Sequence, residues 1–253
     1  MSGTNLKTTM LSGALMTGTF LKTPAFQLVE ILARSKMDFV ALDAEHSPFD
    51  RAAIDSCIAI ARALEFPVLV RVPEGSDAQL LMMLDAGANA VIVPHVNSVE
   101  KARAIAKAAH FGHGGRGFAG STRWAGYATK PMADVLEMDK DETVVIAQIE
   151  EPEGVEAIDA IAAVDGIDAV FVGPADLAVC YGVTDIAHPK VMKAMETVAA
   201  AAKKHGKCMI TFASNASAAA ALKAMGVTMF FIASEHAFMI DGANRASDAF
   251  RSA

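Results

Sequence analysis

The sequence predicts an α/β fold, a single (β/α)8 TIM barrel that spans residues 1–253 as one domain. The length is typical of a one-domain barrel, and the composition, 53% hydrophobic and 6% aromatic, suits a layered core of aliphatic and methionine side chains. Short apolar runs also alternate along the chain with segments of helical period. Because eight such runs alternate strictly with helices, a closed barrel is favoured over an open, doubly wound sheet.

The predicted strands are short apolar runs, many of them rich in β-branched residues, as expected for strands that are buried on both faces of a parallel sheet. They run from Leu15 to Leu21, Phe39 to Ala44, Pro67 to Val72, Ala90 to Val96, Val144 to Ile149, Ala169 to Val172, Cys208 to Phe212 and Met229 to Ala233. A helical period is found in Ala25 to Ser35, Arg51 to Glu65, Ser98 to His110, Glu153 to Val164, Pro189 to His205 and Ala216 to Met225, and a last helix is predicted from Asp241 to Ala253. Predicted helix boundaries are the N-caps Asp50, Asp77 and Ser98 and the C-terminal glycines Gly206 and Gly226.

One connection is much longer than the others. Between Val96 and Val144 a helix is followed by roughly thirty residues rich in Gly, Arg and Thr, a length that usually marks a functional loop or an oligomer contact. Gly112 to Gly117 in this segment matches the dinucleotide-binding pattern G-x-G-x-x-G. Because the match follows a helix rather than a strand, we interpret it as an ordinary loop.

Charge and composition exclude several classes of partner. The formal net charge is -7 and no Lys/Arg-rich run occurs, so nucleic acid is not expected as a partner. Neither a signal peptide nor a membrane-spanning apolar run is apparent, which predicts a cytoplasmic protein without a membrane partner. Cys57, Cys180 and Cys208 are widely spaced and odd in number, so we expect buried small residues rather than disulfides or a zinc site.

Polar residues follow most of the predicted strands. In a parallel barrel the carboxyl ends of the strands meet at one mouth, where active sites form. The polar residues there are Asp43, Glu45 and His46 after the second strand, Arg71 after the third, His95 after the fourth, Gln148 and Glu150 after the fifth, and Gly173, Pro174, Ala175 and Asp176 after the sixth. We therefore expect these side chains to converge.

Glu150 and Asp176 suggest a metal site. They end successive strands with no obvious cation between them, and carboxylate oxygens select hard divalent ions such as Mg2+ or Mn2+. Two carboxylates also leave coordination positions for waters and a chelating substrate. The alternative is that both acids simply face solvent.

Three further residues, Arg71, His46 and Asp85, are considered for a functional role, and each also has an ordinary structural explanation. Arg71 can present its planar fork to a carboxylate or oxyanion, or form a structural ion pair with a strand-end acid. His46 can exchange a proton near neutral pH, or be an ordinary loop histidine. Asp85, at the end of a helix, reads as a solvated acid. The other histidines, including His95, show no metal-ligand spacing and receive no role, and we find no lysine at a predicted strand end to form a Schiff base.

Several ordered motifs together resemble the class II pyruvate aldolases of the HpcH/HpaI family. The resemblance extends from about Gly13 to Ala237, and the motifs that carry it are Leu42 to Pro48, Val70 to Pro73, Leu84 to Ala88, Val93-Pro94, Arg116-Gly117, Gln148 to Glu150 and Gly173 to Leu177. It implies a barrel of the phosphoenolpyruvate/pyruvate type with an exchanged C-terminal helix, assembled as a closed homo-oligomer, with a hexamer suspected. The implied reaction is reversible aldol cleavage of a 4-hydroxy-2-oxo acid to pyruvate and an aldehyde.

The resemblance also implies roles for individual residues. Glu150 and Asp176 would hold Mg2+, Mn2+ or Co2+. Pyruvate would contact Gln148, Arg71 and the segment Gly173, Pro174, Ala175 and Asp176, chiefly through the backbone at Ala175, and Arg71 would steady the enolate oxygen. His46 would be the acid/base, and Asp85 would raise the basicity of His46.

Two strand ends depart from the family pattern. A Gly-Ser-Asp is expected after the eighth strand, where Ala233 to Phe238 stands instead, and the seventh strand ends in Thr211 to Ser214 rather than in a glycine-led turn. These ends are expected to shape the aldehyde pocket, so the acceptor stays open. Alternative functions are an acyl-coenzyme A carbon-carbon lyase, an enolate-forming decarboxylase, or a barrel that only binds an oxoacid.

Overall fold

The computed structural model describes residues 5–253 and contains a closed barrel in which each strand pairs in parallel with the next and β8 closes onto β1. The strands are β1 Met16–Leu21, β2 Phe39–Asp43, β3 Val68–Arg71, β4 Ala90–Val93, β5 Val144–Ile149, β6 Ala169–Val172, β7 Cys208–Phe212 and β8 Met229–Ser234. The predicted fold is confirmed, and each predicted strand is found with ends that differ by at most three residues.

Helices separate the strands and surround the barrel. They are α1 Leu6–Leu11, α2 Phe26–Leu32, α3 Arg51–Ala63, α4 Asp77–Ala86, α5 Val99–Ala109, α6 Met132–Glu142, α7 Pro152–Glu156, α8 Ile158–Ala162, α9 Pro174–Cys180, α10 Pro189–Lys204, α11 Ala216–Ala224 and α12 Glu235–Arg251. The N-caps Asp50 and Ser98 are confirmed by hydrogen bonds from Ala53 and Lys101. Gly206 and Gly226 follow α10 and α11 with positive φ, as predicted.

Several predicted details of the helices are wrong. Ser76, not Asp77, is the N-cap of α4; Asp77 is the first helical residue, where its charge still favours the positive end of the helix dipole. The helix predicted from Glu153 to Val164 divides into α7 and α8, because Ala157 between them has a ψ of 1°. The last helix begins at Glu235, well before Asp241. Among the cysteines, Cys180 is exposed rather than buried.

Four phenylalanines form a cluster in the barrel interior, among aliphatic and methionine side chains. Phe20 stacks on Phe231 with ring centroids 4.1 Å apart, and Phe171 and Phe39 contact the same Phe231 ring at 5.1 and 5.4 Å. Gly18 on β1 makes room for this packing, because a Cβ there would overlap the Phe39 ring. These large side chains fill part of the space between the strands.

The helices determine which end of the barrel is the mouth. Each helix that follows a strand runs back antiparallel to it, so strand C-termini and helix N-termini share one end, whereas helix C-termini lie at the other. The outer faces of the strands and the inner faces of these helices form one continuous apolar layer, which includes Val70 of β3, Ile58 of α3 and Leu84 of α4. Within residues 5–253, no helix is both long enough and apolar enough to cross a bilayer.

Candidate metal and substrate site

A buried ion pair joins β2 to β3 at the mouth. Asp43 and Arg71 are partners in the strand register, and Arg71 donates from Nε and Nη2 to the two Asp43 oxygens at 3.0 and 2.8 Å. Burial disfavours the Asp43 carboxylate, but hydrogen bonds and attraction from Arg71, with a further hydrogen bond from Lys22, outweigh it and lower its pKa to about 2. The pair fixes the Arg71 guanidinium, which also lies 4.5 Å from the centre of the Phe20 ring.

Glu45 is a second acid beside Arg71. Its Oε2 lies 3.2 Å from Arg71 Nε, and the side chain is only 10% exposed. Burial raises the pKa of Glu45, and the negative charge of Glu150 adds to that rise against the attraction of Arg71 and nearby histidines. Since Glu45 Oε2 is buried and accepts no hydrogen bond, the local charge distribution favours an additional cation.

Glu150 lies in the centre of the mouth with its two oxygens facing different ways. Oε1 accepts a 2.7 Å hydrogen bond from the backbone N–H of His95, and Oε2 accepts one from Gln148 Nε2. Both Glu150 and Gln148 are almost completely buried, yet Gln148 Oε1 has no hydrogen-bond partner in the protein. An oriented carboxylate and a free amide oxygen therefore lie side by side.

Gly173 has no side chain at the point where the Glu150 and Asp176 side chains approach each other. An ideal Cβ on Gly173 would lie 3.2 Å from Asp176 Oδ2 and 3.3 Å from Glu150 Oε2, so both carboxylates border the same point. Pro174 follows at the start of α9, and the N–H of Ala175 belongs to the first turn, where amides lack intrahelical acceptors. Two carboxylate oxygens that approach the same point are a donor set that fits a hard divalent ion.

His46 and Asp85 lie apart within one chain. The His46 side chain is 60% exposed at the mouth, with Nε2 3.7 Å from Glu45 Oε2, and its backbone N–H donates to Asp43. Asp85 lies near the C-terminus of α4, at the end of the barrel away from the mouth, where it accepts hydrogen bonds from Arg116 at 2.6 and 3.2 Å. Among the described residues, no hydrogen bond joins Asp85 to His46.

The prediction that no strand end carries a lysine is wrong. A lysine does stand at a strand end, because Lys22 directly follows β1 and its ammonium lies 2.8 Å from Asp43 Oδ2. The backbone N–H groups of Lys22 and Thr23 donate to Glu235 at 2.9 and 2.7 Å, so the divergent end of β8 anchors this loop.

The structure brings most of the predicted residues together at one mouth: Arg71, Gln148, Glu150, Gly173, Pro174, Ala175 and Asp176, with His46 at the rim. Three contributors had been assigned no role, namely Asp43, Glu45 and His95. Their position at predicted strand ends was the available signal. What the sequence lacked was the register and loop geometry that bring them to Arg71 and Glu150.

Comparison with known proteins identifies the family. The family model for HpcH/HpaI aldolase/citrate lyase matches residues 16–242. A hydroxypyruvate/pyruvate aldolase from Paraburkholderia phytofirmans is 30% identical over 93% of both chains, and a 5-keto-4-deoxy-D-glucarate aldolase from Citrobacter koseri is 34% identical over 88% of this chain and 86% of its own. A solved HpcH/HpaI aldolase/citrate lyase family protein from Burkholderia cenocepacia has a TM-score of 0.91 at 30% identity, covering 98% of this chain and 100% of that one.

The barrel and these relatives place the protein among the aldolases, which are carbon-carbon lyases. This chain belongs to the HpcH/HpaI aldolase/citrate lyase family. The resemblance suggested by the ordered motifs is confirmed, and it covers nearly the whole chain.

Proposed function

We propose that this protein is a divalent-metal-dependent class II aldolase that reversibly cleaves a 4-hydroxy-2-oxo acid to pyruvate and an aldehyde. The observation that carries the proposal is the approach of the Glu150 and Asp176 carboxylates to one point beside Gly173, at the same mouth as a guanidinium fixed by a buried acid. Class II aldolases named among the relatives support it. Mg2+, Mn2+ and Co2+ are the proposed ions.

The chain's own residues would bind and orient the oxoacid. When bound, the metal supplies a Lewis acid for the 2-oxo acid, an effect worth several kcal/mol of charge stabilisation. Gln148, with its free amide oxygen, and the backbone of Gly173 to Asp176 would position the substrate. Arg71 would donate hydrogen bonds to the oxygen on which charge develops at C2, and Asp43 keeps that guanidinium in place.

His46 is the proposed acid/base. During cleavage its imidazole would accept the proton of the C4 hydroxyl while the C3–C4 bond breaks, and that proton would then pass to C3 of the enolate to give pyruvate. During synthesis both proton transfers would run in reverse. Its exposed position at the rim suits contact with the aldehyde half of the substrate. A positioned acid/base contributes about 10²- to 10⁴-fold to the rate.

Asp85 can assist His46 only from another subunit, because α4 carries it to the far end of its own barrel. We therefore propose a homo-oligomer, with a hexamer as the expected form. The helix α12 supports assembly, since Met239, Ile240 and Phe250 on it are 62%, 61% and 88% exposed, a surface that an exchanged helix would cover.

Subunit complementation tests this arrangement. If a partner supplies Asp85, His46→Ala and Asp85→Asn subunits should each be inactive alone. Mixed assemblies of the two should regain about a quarter of wild-type turnover, because random mixing pairs an intact His46 with an intact Asp85 in about that fraction of sites. A mixture of wild-type and His46→Ala subunits is the control and should be active. If the mixture of the two variants stays inactive while this control is active, no residue is shared between subunits.

The acceptor aldehyde is to be determined by turnover. Chelator-treated protein would be assayed with pyruvate and a panel of aldehydes, with Mg2+, Mn2+ or Co2+ restored one at a time. Aldol product that appears only with metal supports the proposal. Full activity without metal, or a pyruvate adduct trapped by borohydride, contradicts it.

Two remaining parts of the proposal need separate measurements. Including an acyl-coenzyme A thioester and a 2-oxo diacid in the same panel tests the lyase and decarboxylase alternatives. Absence of all turnover by metal-loaded protein would favour an oxoacid-binding barrel.

The sequence also predicts a cytoplasmic location, which cell fractionation would test.

A further inference from the structure

We propose that His95, together with Glu45, is a ligand to the divalent ion on the Oε1 side of Glu150, and that its nitrogen makes this site favour transition-metal ions over Mg2+. The inference deepens the proposed function, since it concerns the metal of the same mouth. It adds an imidazole at Glu150 Oε1, whereas Asp176 approaches Glu150 Oε2.

The imidazole of His95 lies among carboxylates from two other strand ends. Its Nδ1 is 3.3 Å from Glu150 Oε1, and its Nε2 is 3.8 Å from Glu45 Oε1. One donor atom from each of Glu45, His95 and Glu150 lies within 4.8 Å of the others. Three such donors converge from the ends of β2, β4 and β5 at a spacing that a single ion can bridge.

The Glu45 and Glu150 carboxylates are buried close together, an arrangement that favours binding of a cation. Glu45 is 90% buried, and its Oε2 accepts no hydrogen bond although it lies near Arg71. Glu150 is 3% exposed and faces Glu45 across the same space. Buried acids in such an arrangement are stabilised by a shared cation, and Arg71 is already committed to Asp43.

The backbone around His95 also holds it in this position. His95 has a φ of +55°, a left-handed conformation that non-glycine residues adopt at a cost, and its N–H donates to Glu150 Oε1. The turn places the imidazole and the backbone N–H of one residue on the same carboxylate. Glu151 Oε1 lies 3.1 Å from Nδ1, so a hydrogen bond from a protonated Nδ1 would orient the ring and leave Nε2 as the nitrogen that binds the ion.

An imidazole ligand changes which ions bind. Nitrogen donors favour Mn2+, Co2+ and similar transition metals, whereas Mg2+ prefers oxygen ligands and retained waters. If His95 instead only positioned Glu150 and Glu151, its loss would weaken all divalent ions alike. Direct ligation by His95 therefore predicts a change in metal selectivity and a nitrogen atom bound to the ion. A positioning role predicts neither.

Pulsed EPR of the full-length protein loaded with Mn2+ alone tests direct ligation. We expect a coupling from a directly bound ¹⁴N, its replacement by a ¹⁵N coupling when the histidines are ¹⁵N-labelled, and its loss in His95→Asn. Asparagine tolerates positive φ, so this variant should keep the loop. The control His236→Asn removes another mouth histidine of equal exposure, 54%, that lies beside Glu235, and it should keep the coupling.

Titration calorimetry of the same proteins provides the second readout, independent of turnover. In His95→Asn the affinity for Mn2+ and Co2+ should fall by about ten- to a hundredfold, while that for Mg2+ changes by less than about threefold. Absence of nitrogen coupling in the wild type, its persistence in His95→Asn, or an equal loss of affinity for all three ions would overturn the inference. Nitrogen coupling in a protein without aldol turnover would contradict the proposed reaction and leave the ligand assignment intact.

Discussion

Replacing Asp43 with asparagine should destabilise the protein strongly at neutral pH. Asp43 is completely buried and accepts two hydrogen bonds from Arg71 and one from Lys22. Its pKa falls from an ordinary 3.8 to about 2, a shift that corresponds to about 2 kcal/mol of stability. Removing one partner of a buried pair leaves cations uncompensated, so the total loss is expected at about 3–5 kcal/mol.

The pH dependence gives the sign of the effect. Because the folded-state pKa is depressed, the contribution of Asp43 is fully present above about pH 4 and is lost as the pH falls toward about 2. Wild-type stability should therefore decline through this range more steeply than that of Asp43→Asn.

Urea unfolding of both proteins at pH 7 and at steps down to pH 2 measures this difference, at one protein concentration because assembly affects apparent stability. Asp159→Asn is the matched control: its carboxylate lies 2.7 Å from Lys204 but is exposed, so little change is expected. An Asp43→Asn protein as stable as the wild type at pH 7, or a pH profile parallel to it, would refute the reasoning.

Three further predictions follow from the site and the fold. His46→Ala should lower kcat by about 10²-fold or more with metal binding nearly intact, and a changed metal affinity with unchanged kcat would contradict its acid/base role. Truncation after Ala237 should dissociate the assembly and reduce activity together, whereas a wild-type protein that elutes as a fully active 26.5 kDa monomer would contradict the oligomer. Gly18→Ala should destabilise by about 1–3 kcal/mol because its methyl overlaps the Phe39 ring; an unchanged urea midpoint would show that the ring can move.

The sequence predicted the strands well because each is a short, mainly apolar run between segments of helical period. It failed to predict α6, which buries only Val135 and Asp139 and therefore lacks an apolar stripe. It also missed the phenylalanine cluster around Phe231, since composition gives no information on where a few aromatic residues meet.

For the site, the position of a residue at a strand end could be predicted from the sequence. Which side chains contact each other there could not. Glu150 and Asp176 were recognisable as acids that end successive strands. The approach of His95 to Glu150 depends on a left-handed turn that no sequence pattern revealed. The distance of Asp85 from the mouth follows from the direction of α4, and the family resemblance alone did not show it.

Exchange of the C3 protons of pyruvate in deuterated water tests the central claim most directly, because it reports enolate formation without any choice of aldehyde. Deuterium incorporation would be followed by mass spectrometry with metal-loaded protein, chelator-treated protein and Glu150→Gln. The account predicts rapid exchange with metal and its loss in the other two samples. Exchange that continues unchanged after metal removal, or that fails with Mg2+, Mn2+ and Co2+ alike, would contradict the assignment of this mouth as a metal-dependent aldolase site.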